Sequence, residues 1–213
     1  MSKFLNFRNN RGFTLIELIV VIAVFLLVIG AAISIFISVV QNQRKILAEQ
    51  ELLSQTSYVI EYMSKALRVA KKDTTGACLG LDYIGYSYLL TRRDLSSPYY
   101  QGIKFINQSD NDTCQEFFLN MSELGGAVLK ELKNSTNDSS AVALTSSNIN
   151  INSIRFSING SSGLVGSLIG ASENDGIQPR VTIFLDVKSN KNDNQISKKI
   201  QTTVSQLDLN IKQ

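Results

Sequence analysis

One carboxylate stands at the head of a long uncharged run. Glu17 closes the segment Arg11-Gly12-Phe13-Thr14-Leu15-Ile16-Glu17, and no charged residue follows from Leu18 to Val40. A charged group at bilayer depth costs about 2.5–3.5 kcal/mol on insertion scales, so such a group usually has a partner or a job. The chemistry Glu17 offers is ion pairing with an amine in an apolar medium. The plain alternative is an anchor helix whose Glu17 lies shallow enough to reach lipid headgroups.

Three other sets of residues could do chemistry. Cys78 and Cys114 are the only cysteines; in an exported domain they are expected to form a disulfide, with two unpaired buried thiols as the alternative. Closing that loop would stabilise the fold by about 3–4 kcal/mol in the chain-entropy model. The stretches 107–113 (Asn-Gln-Ser-Asn-type residues with Asp110 and Asp112) and 173–176 carry clustered oxygens of the kind calcium takes. Neither has the D-x-[DN]-x-[DN]-G spacing with its distant glutamate, so polar loops are the favoured reading and no cofactor is assigned. The N-x-[ST] matches, Asn107 and Asn159 among them, carry little weight in a chain so rich in Asn and Ser. The chain contains no histidine and no tryptophan, which rules out Ser-His-Asp or Cys-His devices and histidine-based metal sites. No phosphate-cradling glycine loop is present either. The chain is not expected to be an enzyme.

The elements that position Glu17 follow from charge and length. Residues 1–12 hold Lys3, Arg8 and Arg11 and no acid, the pattern of a targeting segment. The apolar run after it is too long for a secretory h-region and has no A-x-A-like cleavage signal. At about 1.5 Å per residue it spans about 34 Å, enough to cross the hydrocarbon layer. Three cations before the run against Arg44 and Lys45 after it place the amino terminus in the cytoplasm.

Gly12-Phe13-Thr14-Leu15-Ile16-Glu17 resembles the processing site of type IV prepilins and the pseudopilins of type II secretion. The resemblance implies cleavage between Gly12 and Phe13 by prepilin peptidase on the cytoplasmic face, and N-methylation of Phe13 by the same enzyme. It also makes Glu17 the fifth mature residue, the position that family uses to register one subunit against another. The physics agrees. The Glu17 carboxylate and the freed amine of a neighbour's Phe13 are each unfavourable in lipid, and pairing relieves both while fixing axial stagger. Breaking one partner of a buried pair costs about 3–5 kcal/mol. Gly12, without a side chain, leaves its backbone open to a protease; a loop glycine of no consequence is the alternative. The resemblance further implies other pilin or pseudopilin subunits, an inner-membrane assembly platform and a motor ATPase as partners.

Global charge adds no second function. The chain has 21 basic and 18 acidic residues, and removal of the three leader cations leaves 18 against 18. Nucleic-acid binding usually shows as a basic domain or stripe, so it has no support here, and pairs such as Lys198-Lys199 read as solvated cations.

Past Val40 the sequence turns polar but keeps helical spacing: Ile46, Leu53, Ile60, Met63, Leu67 and Ala70 mark one apolar face. With no proline before Pro98 and Gly30 alone between Gly12 and Gly76, a single helix over 13–73 is expected, about 90 Å long, with Gly76 as the stop signal. Gly30 is read as a close-packing site. Beyond Leu79, strands are expected at 83–90, 102–106, 116–120, 127–132, 152–158, 180–188 and 196–206, the last two as a hairpin. The fold class is therefore α+β and pilin-like: a long helix packed on an antiparallel sheet. The segments are a leader at 1–12, a transmembrane and assembly helix at 13–40, an amphipathic continuation at 41–75 and a β-rich head at 76–213.

The phrases at 143–151 and 201–206 also resemble minor pseudopilin J and related minor pilins, although Leu207 stands where many relatives have a basic residue. A minor, low-copy subunit of a type IV pilus or a secretion pseudopilus is thus the expected role, first in the inner membrane with its head outside and then in the filament. The alternatives are a tip adhesin or DNA receptor on the same stem, with Tyr99 and Tyr100 as contacts, or an anchored protein that never polymerises.

Overall fold

The computed structural model describes residues 12–93, 98–121, 126–146, 148–160, 178–189 and 197–207. The expected oxygen cluster at 173–176 lies outside them. The chain divides into two compact units, Met1–Leu47 and Ala48–Gln213.

The first unit holds the start of α1, the helix Leu15–Arg68. Its aliphatic side chains from Leu15 to Val39 are exposed on every side. A helix apolar all round needs a nonaqueous surrounding or partner helices. Among the described residues no neighbour comes within 4 Å of where a Cβ on Gly30 would stand, so the expected close packing at Gly30 is not seen among them.

The second unit is an antiparallel sheet with the remainder of α1 against it. Its strands are β1 Ala70–Lys71, β2 Tyr88–Arg93, β3 Tyr100–Asn107, β4 Thr113–Asn120, β5 Val128–Lys133, β6 Val142–Ala143, β7 Ile149–Asn159, β8 Arg180–Ser189 and β9 Ser197–Ser205. The order is β6-β5-β4-β3-β7-β8-β9, with β1 and β2 also on β3. The core joins Leu52, Val59, Met63 and Leu67 of the helix to Tyr88, Phe105, Phe117, Ile154, Ile183 and Leu185 of the sheet. The α+β class and the β8–β9 hairpin match the sequence reading.

Several local expectations are corrected. The helix buries Ala48, Leu52, Thr56, Val59, Met63, Ala66 and Leu67, while Ile46 and Leu53 are exposed. Steps of seven drift about 20° per repeat on a straight helix, so the seven-residue spacing through Ile46 and Leu53 slides off the face that Leu67 and Met63 occupy. The helix ends at Arg68, five residues before Asp73, because the chain there turns into β1 and pairs with Asn107 and Ile106 of β3. The Arg68 carbonyl accepts from Leu207 N–H at 2.7 Å, and the buried Gln206 donates its amide to the Ala70 carbonyl at 2.8 Å. The end of the last strand therefore caps the helix exit. The expected strand at 83–90 starts only at Tyr88, since Leu81–Tyr83 is a 3₁₀ turn. The strand expected at 152–158 begins earlier, at Ile149, and a bulge between Ile151 and Ser153 resets its alternation.

Residues 73–86 are organised by one carboxylate. Asp73, fully buried, accepts from Thr75 N–H at 3.1 Å, Gly76 N–H at 2.7 Å, Cys78 N–H at 2.9 Å, Leu79 N–H at 2.8 Å and the Thr75 hydroxyl at 3.1 Å. Gly76 is part of this cage, not the helix stop. Its φ of +72° suits glycine, and a Cβ there would meet Leu81 and Gly80 backbone at 3.0–3.2 Å.

The loop is also bridged. Cys78 and Cys114 form a disulfide with Cα atoms 5.4 Å apart, fastening it to β4. Reducing this bridge, or replacing both cysteines by serine, is expected to lower head stability by about 4 kcal/mol. Urea unfolding of the full chain with and without reductant measures this. Free alkylation of both thiols in unreduced protein would contradict the bridge.

Candidate processing and assembly site

The site is built by the first turn of α1. Thr14 caps the helix: its carbonyl accepts from Leu18 N–H at 3.2 Å and its hydroxyl from Glu17 N–H at 3.3 Å. Thr14-x-x-Glu17 is a capping-box sequence, so the carboxylate that sequence reading assigns to subunit registration also occupies the favourable acidic position of a helix start. Thr14 was missed as a functional position, although Ser/Thr three residues before Glu is a legible signal.

Gly12 and Phe13 precede the cap outside any regular element. Gly12 is exposed with open space where a Cβ would lie, and Phe13 is 82% exposed. A peptide bond between two such residues is sterically free for an enzyme to grip. Glu17 is exposed as well, and among the described residues its carboxylate has no ion-pair partner. Beyond it runs one helix long and apolar enough to cross a membrane by length and composition. The arrangement joins an open peptide junction, an acid four residues on with no ion-pair partner among the described residues, and an apolar shaft. A family model described as the prokaryotic N-terminal methylation motif matches residues 7–33.

The amino-terminal segment carries the prokaryotic N-terminal methylation motif, which supports a type IV prepilin- or pseudopilin-type protein.

The match covers the amino-terminal segment and leaves the head uncovered. No curated protein and no solved structure matches the chain significantly. The apolar helix and the motif fit a membrane-anchored protein, and motif and fold together fit a structural subunit.

The other site residues belong to the second unit. Cys78 and Cys114 are joined there. In the polar stretch 107–113, Asn107 folds back to accept from Ser109 N–H at 3.0 Å, Lys133 holds Asp110 at 2.8 Å, and Lys71 holds Asp112 at 2.8 Å. Among the described residues no three metal-ligating side chains converge. Arg92, in the left-handed region at φ 54°, reaches Asp138 at 2.6 Å and Glu116 at 3.1 Å. The hydrogen bond from Arg92 holds the Asp138 carboxyl below the usual carboxylate range. Gly102 makes room for that turn, since a Cβ would lie 2.4 Å from Thr91 Oγ1 and 2.9 Å from Arg92 Cγ.

Proposed function

We propose that this chain is a minor pilin or pseudopilin subunit, made as a membrane-stored precursor and built into a type IV pilus or a type II secretion pseudopilus. The observation that carries the proposal is the match of the N-terminal methylation motif at residues 7–33 on an uncovered apolar helix. Prepilin peptidase cuts between Gly12 and Phe13 and methylates Phe13. The helix waits in the inner membrane with its amino terminus on the cytoplasmic side. Glu17 of an incoming subunit then meets the methylated amine of a neighbour's Phe13, and the apolar shafts pack together as the filament core. The assembly platform and motor ATPase supply the extraction work, and no cofactor takes part. The phrases at 143–151 and 201–206 support the minor pseudopilin reading, and Gln206 within the second of them is the residue that ties β9 to the helix exit.

Shearing filaments from cells and probing both fractions tests incorporation. The chain is expected in the sheared filament fraction at low copy, in its shortened form. Its confinement to the membrane fraction in cells that make filaments would overturn the proposal.

A further inference from the structure

β9 ends the sheet, and its outer edge is bare. Among the described residues no backbone hydrogen bond reaches β9 except from β8. Gln206 N–H donates to the Pro179 carbonyl in register with the β8–β9 ladder. Alternation then points the N–H and C=O groups of Lys199, Gln201, Thr203 and Ser205 away from β8. Edges are usually protected by shortness, a bulge, proline or charge. The opposite edge is short, since β6 is only Val142–Ala143. β9 runs from Ser197 to Ser205, pairs with β8 without a register shift and contains no proline. Its only charges are Lys198 and Lys199, and from Ile200 to Ser205 it is an uncharged run rich in β-branched residues.

The helix gives this edge a wall. Lys198 pairs with Glu49 of α1 near one end of β9, and Leu207 N–H meets the Arg68 carbonyl just past the other. From Glu49 to Arg68 the helix rises about 28 Å, and from Lys198 to Leu207 the chain advances about 30 Å. That part of α1 and β9 therefore run side by side in one direction. Helical spacing puts Leu53 and Ile60 on the same flank as Glu49, facing along the strand. Leu53 is 39% exposed, and Ile60 is only partly buried against the core. Ile200 and Thr202 lie opposite the core residues Leu185 and Ile183, on the helix side of β9, and both are half-buried.

We propose that the outer edge of β9 is a strand-addition site that takes an extended segment of a different protein. Main-chain hydrogen bonds to Lys199, Gln201, Thr203 and Ser205 supply the affinity, and alternate side chains supply the choice of partner. The fitting segment turns aliphatic or β-branched residues toward Leu53, Ile60 and Ile200. It is otherwise uncharged except for one acid opposite Lys199, whose only carboxylate contact among the described residues is Asp186 at 3.9 Å. A second copy of this chain is excluded by geometry. Two β9 edges joined into one sheet are related by a two-fold axis normal to it, which sets their α1 helices antiparallel. Chains held in one membrane by the same end of α1 cannot meet in that way. The site is separate from Glu17 and independent of it.

The probe is a fluorescein-labelled peptide of alternating valine and threonine, as long as β9 and ending in glutamate. Its anisotropy is followed against the full chain in nanodiscs of zwitterionic lipid, and saturable binding is expected. Thr203→Pro removes an outward N–H that makes no bond to β8, so it should leave the melting temperature unchanged. It should weaken binding about tenfold, and Gln201→Pro should do the same. Leu53→Asn should weaken binding about fivefold. Two further peptides carry N-methyl groups on alternate amides, one set in each. Only one set faces β9 in an added strand, so one peptide should lose binding and the other keep it. This arm decides the matter even if a proline variant fails to fold. Absence of saturable binding, equal binding of both methylated peptides, or binding that both proline variants leave intact would overturn the proposal. So would a dimer of the chain in detergent, seen by sedimentation without peptide and dissolved by Thr203→Pro, which would assign the edge to a second copy.

Discussion

Replacing Glu17 with alanine is expected to leave cleavage after Gly12 largely intact and to reduce incorporation into filaments about a hundredfold or more. The magnitude follows from the pair. In an apolar filament core the Phe13 amine of a neighbour would lose its only counter-charge, and removing one partner of a buried ion pair costs about 3–5 kcal/mol, where each 1.4 kcal/mol is about tenfold. A competing explanation must be separated from this one, because Glu17 also follows the capping residue Thr14 at the capping-box spacing. Loss of a capping interaction costs about 1 kcal/mol, too little for such a defect. Glu17→Gln sharpens the distinction: glutamine serves a capping box as well as glutamate does but carries no charge. Registration predicts that both variants fail to enter filaments; capping predicts that Glu17→Gln behaves as the native chain. Quantifying each variant in sheared filaments, beside its amino-terminal processing, decides between them.

Asp73→Ala is expected to destabilise the head by about 3–4 kcal/mol. The carboxylate satisfies four backbone N–H groups in a loop where Cys78 and Leu79 are themselves buried, and each buried donor left without a partner costs about 1–3 kcal/mol less whatever water recovers. Asp73→Asn should be nearly as damaging, since one oxygen becomes an NH₂ donor facing N–H donors. Burial alone would raise the Asp73 pKa, but the hydrogen bonds from Leu79, Cys78, Thr75 and Gly76 together outweigh it and hold the carboxyl below its ordinary value. The sign follows from linkage. A carboxyl whose folded pKa is depressed contributes stability that is complete above the unfolded value, near 3.9, and is lost as pH falls through the folded value. Unfolding of the native chain should therefore become easier below about pH 4, and Asp73→Ala should flatten that dependence. A variant as stable as the native chain, with the same acid limb, would show that the cage is dispensable.

Glu17 stands out in the sequence because a lone acid before an apolar run needs no tertiary contact to be noticed. The sheet strands with clean alternation, Val181 to Val187 above all, were equally plain, since burial of one face imposes the period. What escaped the sequence depends on contacts between distant segments. Leu207 and Gln206 cap the exit of α1 from more than 130 residues away, and no propensity at Arg68 announces this. Ile46 and Leu53 misled because apolar residues seven apart look like one face, while the sheet selects Leu52, Val59 and Met63 by where it stands. Asp73 could have been found: Asp followed by Thr75 and Gly76 is a turn signal, but its reach to Cys78 and Leu79 is a matter of folding.

The whole account rests on a new amino terminus at Phe13. Intact-mass spectrometry of the chain extracted from membranes, followed by sequencing of its first peptide, tests this most directly. The account predicts a species that starts at Phe13 and carries one added methyl group on its α-amine. A membrane form that retains Met1 through Gly12, with no shortened species beside it, would contradict it.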